Sequence, residues 1–162
     1  MTYLRLLAIA LVLCAAAPVV AQGTSVAFGA IQQDTSAPVE VTADELAVDQ
    51  ASGAATFTGN VVIGQGEMKL SAPRVLVIYS QGQAGIARLE ASGGVTLVSG
   101  ADAAEGQRAD YNVADGVIVM SGEVLLAQGQ SALSADRMTI NLEDGTAQMQ
   151  GRVRTILQTG NN

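Results

Sequence analysis

Residues 109–126 read ADYNVADGVIVMSGEVLL, and this stretch decides the fold class. Its apolar runs VIVM (117–120) and VLL (124–126) are short and rich in β-branched residues, which is typical of strands. The pairs Asp115-Gly116 and Ser121-Gly122 suit tight turns, because glycine reaches backbone angles that other residues avoid. The stretch therefore predicts short antiparallel strands joined by turns.

The same plan recurs along the chain. Each copy begins with Ala-Asp or Ala-Pro, continues through a strand and a glycine-containing turn, and ends on a returning strand with the pattern Gly-x-Val. The valines of that pattern, Val61, Val95, Val124 and Val153, are 34, 29 and 29 residues apart. Such a period predicts stacked repeats of about thirty residues in an all-β fold, with a plain antiparallel β-sandwich as the alternative. The four copies are residues 43–63, 72–97, 109–126 and 135–156.

No long helix is predicted between residues 38 and 157. The segment ADELAVD (43–49) has some helical propensity, but it is short and soon meets Gly53. Similar β-branched runs predict further strands at 61–63, 68–70, 75–79, 95–97, 111–113 and 138–142.

Composition narrows the class of protein. The chain has 162 residues, which suits one domain or at most two small ones. With 49% hydrophobic and 14% charged residues it is not of disordered composition, and a single cysteine excludes an internal disulfide scaffold. The absence of histidine excludes catalytic triads and zinc sites built on imidazole. A net charge of -7 with 3% aromatic residues argues against a nucleic-acid partner. We predict no catalytic residue, no metal and no cofactor.

Residues 1–21, MTYLRLLAIALVLCAAAPVVA, have the features of a secretory signal peptide. Arg5 precedes an apolar run, and compact residues lead up to Ala21. The run from Leu6 to Val20 is shorter than the roughly 20 residues that span a bilayer, so cleavage after Ala21 is favoured over a retained membrane anchor. Without residues 1–21 the chain has no cysteine, which suits the periplasm.

The rest of the chain divides into three predicted parts. Residues 22–37 are polar and small without periodicity and predict a flexible leader. Residues 38–157 form one β domain, and residues 158–162 a disordered tail.

Alternation along the strands places one side chain in two on the inner face of the fold. These inward positions are aliphatic almost throughout, so they form a continuous apolar strip. We call them the interior set: Val61, Ile63, Leu70, Val75, Val77, Leu89, Val95, Leu97, Tyr111, Val113, Val124, Leu126, Met138, Ile140, Leu142 and Met149. Val153 is also expected to face inward.

A stack of this kind has two open ends with unpaired backbone donors and acceptors. The expected end pieces lie near residues 39–42 and 152–156. Pairing with a second copy would satisfy their backbone groups. The residues predicted to take part in this end-to-end association are Val39, Val41, Val153 and Ile156.

The body has few aromatic side chains. Between residues 38 and 157 there are only Phe57, Tyr79 and Tyr111, although a protein that fills its own core usually uses several, each burying about 150–250 Å². This deficit favours an open slot lined by the interior set. A thin core packed from Val, Leu and Ala is the alternative.

Six short motifs follow one another in a characteristic order, and the progression from F-x-G-N-V to A-D-Y is the most specific part. They are V-x-V-x-A-D-x-L (39–46), F-x-G-N-V (57–61), M-x-L-x-A (68–72), I-x-x-L-x-A-x-G-x-V (86–95), A-D-Y (109–111) and A-D-x-M-x-I (135–140). Over about residues 38–157 the chain thereby resembles the OstA/LptA family of lipopolysaccharide-transport proteins.

The resemblance implies a twisted, partly open β-jellyroll. It implies that the interior set binds lipopolysaccharide through its lipid A acyl chains. It further implies that copies stack head to tail into a periplasmic bridge, which meets inner-membrane and outer-membrane components of lipopolysaccharide transport. Only seven basic residues follow residue 21, which suggests that the phosphorylated headgroup stays largely in water.

Four other functions remain as alternatives. Carboxylates at Glu143-Asp144 or within 102–105 could serve a glycosidase, although a hairpin turn and a solvated loop are the simpler interpretations. The recurring Asp44, Asp110 and Asp136 could bind calcium, although a repeated turn cap explains them better. A membrane-anchored relative in the same pathway and a filament subunit built of β-repeats complete the set.

Overall fold

The computed structural model describes residues 24–27, 34–82 and 85–156. Within these ranges every element of regular secondary structure is a β-strand, which confirms the all-β prediction. The strands are β1 (Thr24–Ala27), β2 (Glu40–Thr42), β3 (Glu45–Asp49), β4 (Ala54–Gln65), β5 (Met68–Tyr79), β6 (Ile86–Ser99), β7 (Asp102–Asn112), β8 (Val117–Gln128), β9 (Ser131–Asn141), β10 (Thr146–Gln150) and β11 (Arg154–Ile156). No helix in these ranges is long and apolar enough to cross a membrane.

All strands belong to one antiparallel sheet with the order β1-β10-β9-β8-β7-β6-β5-β4-β2. The long strands β4 to β9 form consecutive hairpins. At each edge, two short strands replace a long one: β2 and β3 both pair with β4, while β10 and β11 both pair with β9. β1 extends the sheet beyond β10. The sheet is therefore open at two edges.

The strands are longer than the sequence predicts. The runs 117–120 and 124–126 both belong to β8, so the predicted turn at Ser121-Gly122 is wrong. Gly116 and Gly145 do lie in the turns between β7 and β8 and between β9 and β10. Gly122 instead lies at a bend inside β8. The neighbouring strands β7 and β9 pair with β8 both before and after this bend.

The bend recurs at the same place in each repeat. Two successive residues have positive φ at Gly59-Asn60 in β4, Gly93-Gly94 in β6 and Gly122-Glu123 in β8. On one side each pair faces a single residue of the neighbouring strand, which is the arrangement of a β-bulge. Gly151-Arg152 repeats the backbone angles between β10 and β11. We call these four positions the corner line.

Glycine is required at the corner line by space as well as by backbone angle. A Cβ atom on Gly122 would lie 2.7 Å from Cβ of Gln107, and one on Gly151 would lie 2.5 Å from Oδ2 of Asp136. Both glycines have φ angles that residues with a Cβ rarely adopt. The thirty-residue pattern Gly-x-Val therefore specifies a corner in a long strand.

The third repeat is shifted relative to the sequence alignment. The repeat plan aligns Ala109-Asp110 with Ala43-Asp44, but the residue packed against Gly122 is Gln107. Asp110 lies three residues further along β7, where it accepts a hydrogen bond from Arg88. Which residue of β7 lies at the corner depends on the register between β7 and the glycine pair of β8. A match of residue types alone therefore placed the third repeat three residues too far along the chain.

The corner line divides the sheet into two half-sheets that enclose one hydrophobic cluster. Inner residues such as Leu97 and Val124 on the first half-sheet and Val77 and Ile140 on the second are 0% exposed. The sheet is thus folded onto itself as a jellyroll. The first half-sheet contains segments 40–42, 61–65, 68–72, 95–99, 102–106, 124–128, 131–135 and 154–156. The second contains 24–27, 45–49, 54–58, 74–79, 86–92, 108–112, 117–121, 137–141 and 146–150.

Glu45–Asp49 is strand β3 and pairs with β4, as the repeat plan predicts for the residues after Ala43-Asp44 despite their weak helical propensity. Two local expectations differ from the structure. Thr24–Ala27 is strand β1, inside the segment for which a flexible leader is predicted, because β10 offers it a free edge. Asp102 and Glu105 belong to β7, so the solvated loop predicted there is wrong. The predicted signal peptide and tail lie outside the described residues.

Candidate functional site

The interior set faces the space between the half-sheets. Every member is buried except Val113, which is partly buried and packs against the same cluster. Val153 is 38% exposed between β10 and β11, so its inward placement is wrong. The chain turns there at the positive φ of Arg152, which takes the following side chain out of the alternating pattern.

The interior is filled by its own side chains. Val75, Leu97, Val124 and Met138 are 0% exposed, so water does not reach them. The structure therefore does not show the open slot that composition favours. It shows the alternative, a thin core packed from aliphatic side chains. Small residues make this possible, since Ala104 and Ala147 are also buried where larger side chains would hold the half-sheets apart.

Two interior residues that the sequence analysis omitted lie on β8. Ile118 and Met120 are 0% exposed. Ile118 and Met120 face the same side of β8 as Val124 and Leu126. The corner adds two residues to the strand, so the alternation of inward and outward side chains continues unchanged past it. Extending the alternation through the corner would have identified them.

One buried polar pair crosses the interior. The Tyr111 hydroxyl, on the second half-sheet, donates a hydrogen bond of 2.5 Å to Oε1 of Gln65, on the first. Burial raises the pKa of Tyr111, and the hydrogen bond to Gln65 opposes that rise in pKa only in part. Gln65 is 3% exposed, so the pair holds the two half-sheets together away from water.

We call the side of the fold opposite the corner line the seam. Gln65 also binds the segment 34–37 at this seam. Nε2 of Gln65 donates to the carbonyl oxygens of Thr35 and Ala37, at 3.0 Å each. Further along the seam, Nε2 of Gln128 in the first half-sheet donates to the carbonyl oxygen of Ala27, whose strand β1 belongs to the second. Segments 24–27 and 34–37 therefore close the seam.

The two sheet edges carry apolar side chains that the fold leaves uncovered. On β3, Leu46 is 57% and Val48 is 64% exposed, and both lie opposite interior-facing residues of β4. On β11, Ile156 is 61% exposed. The structure thus places β2 and β11 at the edges, near the predicted end pieces. Leu46 and Val48 lie in the strand that the repeat plan places after Ala43-Asp44, but they were not among the residues predicted to associate.

The acidic positions raised as alternatives have local partners. Asn141 Oδ1 accepts from the backbone N–H of Glu143, and Asp144 Oδ1 accepts from Thr146, so this pair belongs to a hairpin turn. Asp44 accepts from Asn60 Nδ2 at 2.8 Å, and its own N–H donates to the Gly59 carbonyl. Among the residues that the structure describes, no cluster of acidic residues suits a metal ion.

The corner line and the interior together define a class: an antiparallel sheet folded along glycine bulges around an aliphatic centre. Residues 40–146 match the family described as LptA/(LptD N-terminal domain) LPS transport protein. This match covers more than half of the chain, so the chain belongs to that family.

Individual relatives are consistent with this assignment. An uncharacterized protein of Rhizobium meliloti (strain 1021) is 33% identical over 112 residues, which cover 65% of this chain and 60% of that protein. The lipopolysaccharide export system protein LptA of Escherichia coli (strain K12) is 36% identical over 56 residues, 35% of this chain and 30% of that protein. The chain therefore spans less than two thirds of the length of either relative.

A solved structure shares the fold. LptH of Pseudomonas aeruginosa, described as the LptA-homologous periplasmic component of the lipopolysaccharide transport device, superposes with a TM-score of 0.69. It is 17% identical, and the alignment covers 78% of this chain and 99% of that one.

Proposed function

We propose that the chain is a periplasmic lipopolysaccharide-binding carrier, with no catalytic role, whose copies stack end to end into a bridge from the inner to the outer membrane. The observation that carries this proposal is the apolar interior, which extends to an uncovered end at Leu46 and Val48. The family match supports the pathway. Partners at the two membranes would be other components of lipopolysaccharide transport.

Acyl chains would occupy the interior by separating the half-sheets. Each CH₂ group moved out of water contributes about 0.8 kcal/mol, so several chains could offset the loss of side-chain packing. The seam is where the half-sheets would part, because hydrogen bonds from Gln65 and Gln128 hold it, whereas continuous strands hold the corner line. An aliphatic lining with few polar groups keeps successive positions similar in energy, so lipid can move along it.

Stacking would use the two edges. Within the described residues, the outer edges of β3 and β11 have no neighbouring strand to pair with, and β3 adds the exposed side chains of Leu46 and Val48. Pairing of one edge with the opposite edge of a second copy is a heterologous contact, which propagates into a filament. The interior set of each copy would then continue into the next.

Photo-crosslinking in intact cells tests the carrier role. A photo-reactive residue at Leu97, which is 0% exposed, is expected to form an adduct with lipopolysaccharide, whereas one at the neighbouring Val98, 39% exposed on the outer face, is not. Tyr111 offers a second interior position. Circular dichroism of each variant verifies folding. Equal labelling from positions 97 and 98, or no adduct from either interior position in a folded protein, would contradict lipid binding between the half-sheets.

Sedimentation velocity tests stacking. The mass of the wild-type protein is expected to rise with concentration, and deletion of residues 152–162 or the double change Leu46→Lys and Val48→Lys should reduce it. Leu125→Lys is the matched control, because Leu125 is 43% exposed on the central strand β8. A wild-type protein that stays monomeric at high concentration would remove the basis for a bridge.

A structural subunit is the second candidate, and the filled interior favours it. A core whose members are 0% exposed needs no guest to be stable. Such a subunit would stack as described but would give no lipid adduct from Leu97 or Tyr111. The two experiments therefore separate the candidates.

A further inference from the structure

A concave groove lies on the outer face of the second half-sheet, on the opposite side of the strands from the interior. Its volume is about 730 Å³. Four of the eight Lys and Arg residues of the chain line it: Arg74, Arg88, Arg108 and Arg137. This concentration of positive charge stands out in a chain with a net charge of -7.

Three of these arginines alternate with serines in one straight row across five strands. Arg74 pairs with Ser92, Ser92 with Arg108, Arg108 with Ser121, and Ser121 with Arg137. Residues directly opposite each other in a sheet share a face, so all five point into the groove. With adjacent strands about 4.8 Å apart, neighbouring arginines lie about 10 Å apart and the row spans about 20 Å. We call it the arginine–serine row.

The positive charge of the groove exceeds its negative charge. Arg88 donates from Nε to Asp110 at 2.9 Å and lies 3.2 Å from Glu90, the two acids of the lining, and four arginines against two acids leave a net charge of +2. Over residues 24–27, 34–82 and 85–156, no ion pair or side-chain hydrogen bond engages Arg74, Arg108 or Arg137. Three cations that fold together without partners indicate an anionic ligand.

We propose that this groove binds a multiply phosphorylated saccharide. The guanidinium fork matches phosphate geometry, and a row of about 20 Å is too long for a single phosphate. The hydroxyls of Ser92 and Ser121 lie between the cations and suit sugar hydroxyls. None of the lining residues is aromatic, which disfavours nucleobases. The site goes beyond the carrier role, since it lies on the opposite face of the sheet from the interior set.

Isothermal titration with lipopolysaccharide stripped of its acyl chains tests the groove without involving the interior. The phosphorylated saccharide is expected to bind the full chain more weakly as salt is raised, because the contacts are exposed ion pairs. The triple change Arg74→Gln, Arg108→Gln and Arg137→Gln should weaken binding at least about tenfold. Lys69→Gln is the control, since Lys69 is an exposed cation of β5 outside the groove, and should leave affinity unchanged.

Chemical-shift mapping on the wild-type protein gives a second readout, with the largest shifts expected at Ser92, Arg108 and Ser121. Unchanged affinity in the triple variant, or shifts that map elsewhere, would overturn the assignment. Equal binding of the dephosphorylated saccharide would exclude phosphate recognition. Equal binding of tripolyphosphate or poly-glutamate would reduce the groove to a general anion patch. Loss of lipid adducts at Leu97 with intact saccharide binding would refute only the carrier proposal.

Discussion

In the second half-sheet, the inner face of strands β5 to β9 is apolar and the outer face carries charged side chains. Residues of the two faces alternate along each strand. On the inner face Val77 and Ile140 are 0% exposed and contact other aliphatic side chains. On the outer face Arg108 and Arg137 are exposed and have no ion-pair partner in the described part of the chain. Folding requires the inner face, because burial supplies the stability. It does not require the outer face, which leaves that face available for recognition.

The largest expected effect is a charge placed on the inner face. Ile140→Asp, or equally Val95→Asp, should lower the free energy of unfolding by about 4 kcal/mol or more, because the carboxylate would be buried without a partner. Thr139→Asp, one residue away on the outer face, should cost about 1 kcal/mol or less. Urea denaturation measures both. Equal losses at positions 139 and 140 would break the comparison between the faces.

The corner line creates the inner face, and its glycines are the next test. Gly122→Ala should cost about 2–4 kcal/mol, because the new Cβ combines backbone strain at φ 83° with a 2.7 Å contact to Gln107. Gly129→Ala, at φ 57° with no atom within 4 Å, should cost only about 1–2 kcal/mol. Thermal melts of the two variants compare them. Similar melting temperatures would show that close packing at the corner is not required.

Loss of the buried hydrogen bond between Tyr111 and Gln65 should have an intermediate effect on the free energy of unfolding. Tyr111→Phe removes the donor to Gln65 and leaves a buried acceptor unsatisfied, which should cost about 1–2 kcal/mol. Tyr79→Phe is the control, because Tyr79 is 43% exposed, and should change stability by less than about 0.5 kcal/mol. Urea denaturation gives both values. A neutral Tyr111→Phe change would indicate that water replaces the hydroxyl at the seam.

The smallest effect concerns the exposed ion pair at the last corner. Arg152 lowers the pKa of Asp136 chiefly through its hydrogen bond. Because this folded-state pKa lies below the unfolded value, the stabilisation is present above the unfolded pKa and is lost as pH falls through the folded pKa. Carbon-detected NMR titration should show a higher Asp136 pKa in Arg152→Gln. The melting curves of the two proteins should converge in acid, and a constant gap at all pH values would assign the effect to packing.

Much of the fold was predictable from sequence because it rests on local patterns. The strands follow from β-branched runs, and the repeats follow from the recurrence of Gly-x-Val, whose glycines are required by backbone angle. The misplaced third copy shows the limit of this reasoning. The position of Gln107 depends on which residue of β7 lies opposite Gly122, and strand register is not contained in either segment alone.

The interior set was also predictable, because alternation fixes which face of a strand is apolar. Whether that face encloses a vacant slot was not. Composition favoured a slot from the shortage of aromatic residues, but small side chains such as Ala104 and Ala147 let the half-sheets approach until the space was filled. Packing distance depends on all facing residues at once, which no single strand reveals.

By itself, the sequence determined the all-β class, the thirty-residue repeat and the apolar strip, since each depends on neighbours a few positions apart. Only the tertiary structure decided how the half-sheets close, which apolar residues stay uncovered at the edges, and where charges gather. In the sequence the arginines appear few and scattered, which suggested that phosphorylated sugar stays in water. Pairing of β5 to β9 aligns Arg74, Arg108 and Arg137 in one row, because register converts residues that are distant in the chain into neighbours on one face.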